Sequence, residues 1–340
     1  MSEPRRTLRM VLERPRTALR PQRAPAPEPG PYEVLIAVVA CGVCRTDLHI
    51  ADGELALARY PVVPGHEVVG EVVAAGPGVE EPRPGARVGV PWLAWTCGRC
   101  RHCRRGRENL CERARFTGCT HDGGYATHLV ADARYVFPLP AGDALAQAPL
   151  LCAGLIGYRA LRLAGEEAGR LGLYGFGASA HLLAQLARWQ GRTVYAFTRP
   201  GDRAAQALAL RLGCAWAGGS DERPPEPLDA ALIFAPVGDL VPKALSDVER
   251  GGVVVCAGIH ASDIPGFPYA LLWGERTLRS VAHLTRRDGE EFLALAARAG
   301  LRAETVGYRL ERGAASPGGS SRRPGGRGRR ARLPSVAAAA

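Results

Sequence analysis

Apolar and polar positions follow two different rhythms along the chain. Up to residue 150, short β-branched runs at Glu33–Cys41 and Glu67–Ala75 stand between proline and glycine clusters such as Pro27–Pro31 and Pro61–Gly65. Such runs predict strands, and the clusters predict the turns that end them. From Pro91 to Cys119 aliphatic periodicity disappears, and arginine and cysteine take its place. That composition cannot build a core of its own, so something else must hold it. Near Leu151 the rhythm changes. Helical spacing at Ala153–Leu163 precedes an apolar run at Leu171–Tyr174, a glycine turn, and helical spacing from Ala178 to Gln190. Thr193–Thr198, Ala230–Phe234 and Val253–Ala257 predict further strands, and Ala204–Leu212 a further helix. Strands alternating with helices predict a parallel sheet covered on both faces. An amphipathic helix at Gly289–Ala299 and a strand at Glu304–Leu310 follow. Beyond Glu311 the chain holds only Arg, Gly, Ala, Ser and Pro apart from Leu333 and Val336, which predicts disorder over 312–340.

The length of 340 residues suits about two domains, and 46% hydrophobic with 23% charged residues is a globular balance. Residues 1–30 hold no apolar run of the signal-peptide kind, and no stretch approaches the roughly 18 apolar residues of a membrane span. The cytoplasm is therefore the expected compartment, with no membrane partner. The net charge of +11 hints at nucleic acid, but seven arginines and no acid lie in 312–340, so the remainder nets an ordinary +4. Nucleic acid is accordingly not an expected partner. Lys243 is the only lysine. Ten cysteines without a signal peptide point away from disulfides and toward metal or redox chemistry.

Cys97, Cys100, Cys103 and Cys111 have the spacing C-x2-C-x2-C-x7-C. Two-residue gaps let successive thiolates face one centre, and the fourth closes a tetrahedron, the geometry of structural zinc. Bound metal would also supply the folding energy this polar loop lacks. An iron–sulfur cluster and free surface thiols are the rivals. Bacterial ferredoxin spacing has a closer fourth cysteine followed by proline, whereas Glu112 follows Cys111.

Three further segments carry candidate chemistry: Cys41-Gly-Val-Cys44-Arg45-Thr46-Asp47-Leu48-His49, Gly65-His66-Glu67-Val68-Val69-Gly70, and Leu151-Cys152-Ala153-Gly154. Taken singly, His66 is as readily a packed core histidine, and Cys44 and Cys152 buried thiols. Together with the four-cysteine loop, the segments resemble the zinc-containing alcohol dehydrogenases of the medium-chain dehydrogenase/reductase superfamily, from about residue 10 to 310. The resemblance implies a GroES-like, β-rich, partly open barrel as catalytic domain over 1–150. It implies a Rossmann domain with a doubly wound parallel sheet over 151–285, a cleft between the two, and a return to the catalytic domain over 286–311. Relatives continue past that point with a helix and a strand, so 312–340 is expected to be a disordered, frameshifted tail.

The resemblance also implies two zinc ions per chain. Cys44, His66 and Cys152 would bind the catalytic one, leaving a fourth position for water or substrate. Thr46 would stand beside the substrate oxygen, with a proton relay running through the cofactor ribose to His49 near solvent. Asp47 would orient His66, and Glu67 would lie behind the metal; structural polar residues are the plain alternative for both. Trp92 matches a pocket wall of short-chain alcohol enzymes, with ordinary core as its rival. Ile156 stands where many relatives set a threonine against the nicotinamide.

Gly175-Phe176-Gly177-Ala178-Ser179-Ala180 follows a predicted strand and opens a helix. Its glycines allow a tight turn and close approach of backbone N–H groups to a pyrophosphate. Arg45 is the expected second pyrophosphate contact. An acid that reads the ribose should end the next strand, yet Thr198-Arg199 stands there. No carboxylate would repel a 2′-phosphate, which favours NADP(H); nearby Asp202 keeps NAD(H) as the alternative. The expected activity is reversible hydride transfer between a primary or secondary alcohol, or an aldehyde or ketone, and a nicotinamide dinucleotide. A polyol or amino-alcohol dehydrogenase, or an inactive variant with an altered C-terminus, is the alternative. A homo-oligomer, dimer or tetramer, is expected.

Overall fold

A computed structural model describes residues 5–313 and 335–339. It divides into two compact units, one of 1–152 with 304–340 and one of 153–303.

The first unit is built around one long strand. An antiparallel ribbon of β1 (Arg6–Val11) and β2 (Arg20–Pro25) precedes β3 (Glu33–Val43), which runs straight into α1 (Arg45–Asp52). β4 (Val68–Ala75) pairs antiparallel with β3 and then with β5 (Arg87–Val90). β6 (His128–Asp132) pairs with β3 at Glu33–Ala37. Alternation along β3 sends Val34, Ile36 and Val38 into a core with Val68, Val72, Val88, Val90 and Leu129. The arginine- and cysteine-rich excursion is entered and left through a short antiparallel pair, Leu93–Trp95 with Arg115–Phe116.

The second unit alternates strand and helix as the periodicity predicts. In order come α2 (Ala153–Ala164), β7 (Arg170–Tyr174), α3 (Ala178–Trp189), β8 (Thr193–Thr198), α4 (Arg203–Arg211) and β9 (Trp216–Gly219). After these come β10 (Leu228–Ile233), α5 (Leu240–Asp247), β11 (Val248–Cys256), β12 (Thr277–Ser280) and α6 (Arg286–Ala299). The six strands are all parallel, in the order β9-β8-β7-β10-β11-β12. The order reverses at β7, the place where a doubly wound sheet receives a dinucleotide. Beneath it, Tyr174 stacks on Phe197 with ring centroids 4.1 Å apart. The Tyr174 hydroxyl donates to Asp247 at 2.5 Å, and Lys243 pairs with the same carboxylate over the Phe197 ring.

Two expectations change. The return to the first unit begins at Glu304 and not at residue 286, because α6 is anchored where it is. Phe292 is buried against Gly154, where a Cβ would come within 2.5 Å of the ring. Covering that ring contributes about 2 kcal/mol. Asp288, fully buried, caps α6 through the Thr285 N–H and hydroxyl and takes Arg159 and Arg162 of α2 at 2.6 and 2.7 Å.

The second change concerns 312–340. Composition predicts disorder throughout, yet β14 (Ser335–Ala339) forms a strand between β13 (Thr305–Arg309) and β3. It runs antiparallel to β13 and parallel to Ala40–Val43 of β3. Composition weighs side-chain burial, whereas a strand bonded on both edges is held by its backbone. Residues 314–334 and Ala340 lie outside the described residues. Among the described residues, no single helix is long and apolar enough to cross a membrane.

Candidate active site

The corner between β3 and α1, with the turn that precedes β4, brings Cys44, Asp47 and His66 together. Cys44 is the N-cap of α1, so its side chain leaves the backbone at the strand-to-helix corner. Asp47, three residues on, folds back and accepts the Cys44 N–H at 2.9 Å and the Gly65 N–H at 3.2 Å. The same carboxylate lies 3.2 Å from His66 Nδ1. An ionised carboxylate only accepts, so Nδ1 carries the hydrogen and Nε2 the lone pair. That Nε2 is buried without a hydrogen-bond partner. A buried basic nitrogen without a partner is costly unless it binds something. Cys44, His66, Glu67 and Cys152 offer ligand atoms that all lie within 4.8 Å of one another.

Zinc–sulfur bonds of about 2.3 Å set tetrahedral edges of roughly 3.8 Å. Cys44 Sγ and Cys152 Sγ are 3.8 Å apart, so the donor set fits the ion. Electrostatics agree. Contact with Cys152, ahead of His66, holds the Cys44 thiol well below its ordinary pKa, while Cys152 is pushed up by that same neighbour and by burial. Burial, then the Cys44 charge, raises Glu67 well above the carboxylate range. Burial opposes charging His66, yet Asp47 and Cys44 outweigh it and raise the imidazole. The centre concentrates anionic groups out of water, and a divalent cation is what such a set accommodates. Glu67 also crowds the backbone: a Cβ on Gly42 would stand 1.8 Å from its carboxylate, so β3 must pass there as glycine.

Thr46 is buried, with its hydroxyl 3.7 Å from Cys44 Sγ. His49 stands one turn further along α1, and Arg45 is exposed on the first turn. Trp92 is buried edge to face with His66 at 5.1 Å and stacks on Phe116 at 5.1 Å. It therefore packs directly on a candidate ligand. Sequence reasoning passes over Phe116 and Glu54; the carboxylate of Glu54 contacts His49 Nδ1. No signal in the sequence marks that contact.

In the arginine-rich lobe, Cys97, Cys100, Cys103 and Cys111 also place their sulfurs within 4.8 Å of one another. Edges of 3.5 Å (Cys100–Cys103), 3.6 Å (Cys97–Cys111) and 4.0 Å (Cys97–Cys103) match the same tetrahedron. N–H groups of Cys100 and Cys103 donate to the Cys97 and Cys100 sulfurs, and the Arg99 N–H, followed by that of Cys100, brings Cys97 down to about 6. Burial instead lifts Cys111 to about 11.

In the second unit, Gly177 is the N-cap of α3, with no side-chain cap and with open space where a Cβ would project. Ala178 to Ala180 thus open the helix with amides free of side-chain cover, which suits a diphosphate. Thr198, at the end of β8, is buried and turned inward, its hydroxyl donating to Gly218 O at 3.2 Å. Arg199 is exposed. Asp202 caps α4 through the Ala205 N–H at 3.1 Å, which occupies one oxygen of the carboxylate that an NAD ribose would need. Ile156 is half-buried on α2.

Known proteins agree with this layout. Residues 30–141 match the model of the alcohol dehydrogenase GroES-like domain. A probable alcohol dehydrogenase of Mycobacterium tuberculosis is 51% identical over 292 residues, 84% of each chain. Among solved structures, a putative zinc-binding dehydrogenase of Sinorhizobium meliloti bound to NADP superposes with a TM-score of 0.81 at 25% identity, over 99% of this chain and 100% of that one. Acetophenone reductase of Geotrichum candidum, in complex with NAD, gives 0.78 at 27% identity over 88% and 89%. Ligand spacing, sheet order and these likenesses converge: the chain belongs to the zinc-containing alcohol dehydrogenases of the medium-chain dehydrogenase/reductase superfamily.

Proposed function

We propose that the chain oxidises small primary or secondary alcohols and reduces the matching aldehydes or ketones, with NADP(H) preferred over NAD(H). The observation that carries this reading is the unpartnered, buried His66 Nε2 aimed among the Cys44 and Cys152 sulfurs. Cys44, His66 and Cys152 would hold a zinc ion, which when bound supplies Lewis-acid polarisation of the substrate oxygen. Asp47 fixes the His66 ring, so its Nε2 lone pair keeps one direction. Thr46 holds a hydroxyl that donates and accepts at once, and takes the proton of the substrate alcohol. His49, three residues along the same helix face, passes that proton toward solvent. The burial of Trp92 on His66 keeps water from that side of the site.

For the coenzyme, the Gly175–Ala180 turn would cradle the diphosphate with Arg45 as a second contact, and Arg199 would meet the 2′-phosphate. Cys97, Cys100, Cys103 and Cys111 would hold a second, structural zinc. The ten free cysteines suit a reducing compartment, and the cytoplasm is the proposed one. A homo-oligomer is the proposed assembly. A panel of alcohols, polyols and amino alcohols with both coenzymes tests the reading. Expected are turnover of simple alcohols, a lower KM for NADP(H), and selective loss of that advantage in Arg199→Ala. Preference for polyols, or NAD(H) bound at least as well as NADP(H), would count against it.

A further inference from the structure

Helix α1 ends by turning its next residue back onto its own last turn. Gly53 sits at φ 78° and donates its N–H to the His49 and Ile50 carbonyls. Glu54 N–H donates to the His49 carbonyl at 2.9 Å. This is the left-handed closure in which the residue after the glycine lies over the final turn. The position requires glycine twice. An L side chain resists that φ, and a Cβ there would stand 2.8 Å from Pro15 Cβ. The closure delivers a carboxylate: Glu54 Oε2 meets His49 Nδ1. The His49 side chain is 12% exposed and that of Glu54 is 43% exposed. The imidazole thus lies between the buried first turn of α1 and an acid standing in water.

We propose that Glu54 is a positioning residue for the proton step of His49, holding the ring in the tautomer that accepts at Nε2. The proposal rests on the reading of His49 as the relay histidine. A neutral imidazole has one N–H, and a carboxylate can only accept it, so the nitrogen facing Glu54 is the donor. The lone pair then resides on Nε2, the nitrogen turned away from Glu54. When Nε2 takes a proton, the ring holds one on each nitrogen and keeps its contact with Glu54 through Nδ1. The ring returns to neutral by giving one proton to water, so one proton enters and one leaves. In this role Glu54 acts on the proton step through His49. The same logic governs an acid that orients a catalytic imidazole elsewhere, where loss of the acid lets the ring adopt the wrong tautomer.

Nitrogen-15 NMR of histidine-labelled holoenzyme tests this, with the His49 signals assigned by their disappearance in His49→Gln. The wild type should show His49 protonated at Nδ1. In Glu54→Gln the amide can present either end, so the ring should become a mixture of tautomers. In the same variant, kcat for alcohol oxidation should fall about tenfold with KM for the alcohol unchanged. Glu54→Asp should recover part of that loss, and thermal melts should show all three variants folded. A wild-type tautomer and kcat in Glu54→Gln, with His49→Gln impaired, would overturn the proposal and leave the relay standing. A changed tautomer without a change in kcat would overturn it equally. An unimpaired His49→Gln would instead remove the relay reading on which it rests.

Discussion

At the scale of single residues, the two donor sets are separable because no residue serves both. Elemental analysis should find about two zinc ions per chain. Cys44→Ser should leave one zinc and a folded chain without turnover. Cys103→Ser should also leave one, but with a lower melting temperature, because the arginine-rich lobe has little else to hold it. Iron in place of zinc, or two zinc ions retained in Cys44→Ser, would contradict the assignment. The four-cysteine set stood out in the sequence because its thiols recur at short, regular gaps, whereas Cys44, His66 and Cys152, far apart along the chain, stood out only through the family resemblance. Glu54 did not, since nothing in Asp-Gly-Glu says that the helix end will fold the acid onto the histidine five residues earlier.

At the scale of elements, the buried strands declared themselves. Leu171–Tyr174 and Ala230–Phe234 are nearly continuous apolar runs because a parallel sheet is covered on both faces. α1 stayed hidden. It has eight residues, most of them polar or functional, and it is set by the Cys44–Asp47 cap more than by periodicity. The placement of α6 was missed for a related reason, because its anchor is ionic. Burial alone would raise the Asp288 pKa, but the Thr285 hydroxyl and N–H and the Arg159 guanidinium outweigh it and hold the carboxyl below its ordinary value. A depressed folded-state pKa gives stability that is fully present above the ordinary carboxylate value of about 3.9 and is lost as the pH falls through the folded value. Asp288→Asn should therefore cost about 3 kcal/mol at neutral pH, because Arg159 is left buried without its partner. It should also flatten the acid limb of the stability profile. Urea melts from pH 3 to 7 measure both; a parallel acid limb in the variant would show that Asp288 is not the titrating group.

At the scale of the whole molecule, β14 lies far along the chain from the strand it covers. β6 pairs with β3 only as far as Ala37, and β14 pairs with the stretch from Ala40 that leads into Cys44. Ending the chain at residue 311 should open that edge, lower the melting temperature and promote aggregation at high concentration. An unchanged melt would mean that the pairing contributes nothing to stability. The coding DNA decides separately whether Arg312–Ala340 is the natural reading. The expected finding is an alternative frame that encodes an amphipathic helix and then an apolar strand; absence from both frames would make the tail native.

The pairing of Lys243 with Asp247 above Phe197 also decides how the molecule meets reagents. Lys243 carries the only ε-amine in the chain, and its side chain is 21% exposed. Held against the Asp247 carboxylate and over the Phe197 ring, that amine is poorly presented to reagents. Acylating dyes, amine crosslinkers and aldehyde-activated resins therefore find almost no side chain to attack. They should attach through the α-amino group, tethering the enzyme by one end in a uniform orientation. A protease specific for lysine has one bond to cut, and it lies within the helix Leu240–Asp247, so the folded chain should outlast such digestion while trypsin, with its many arginines, still cleaves it.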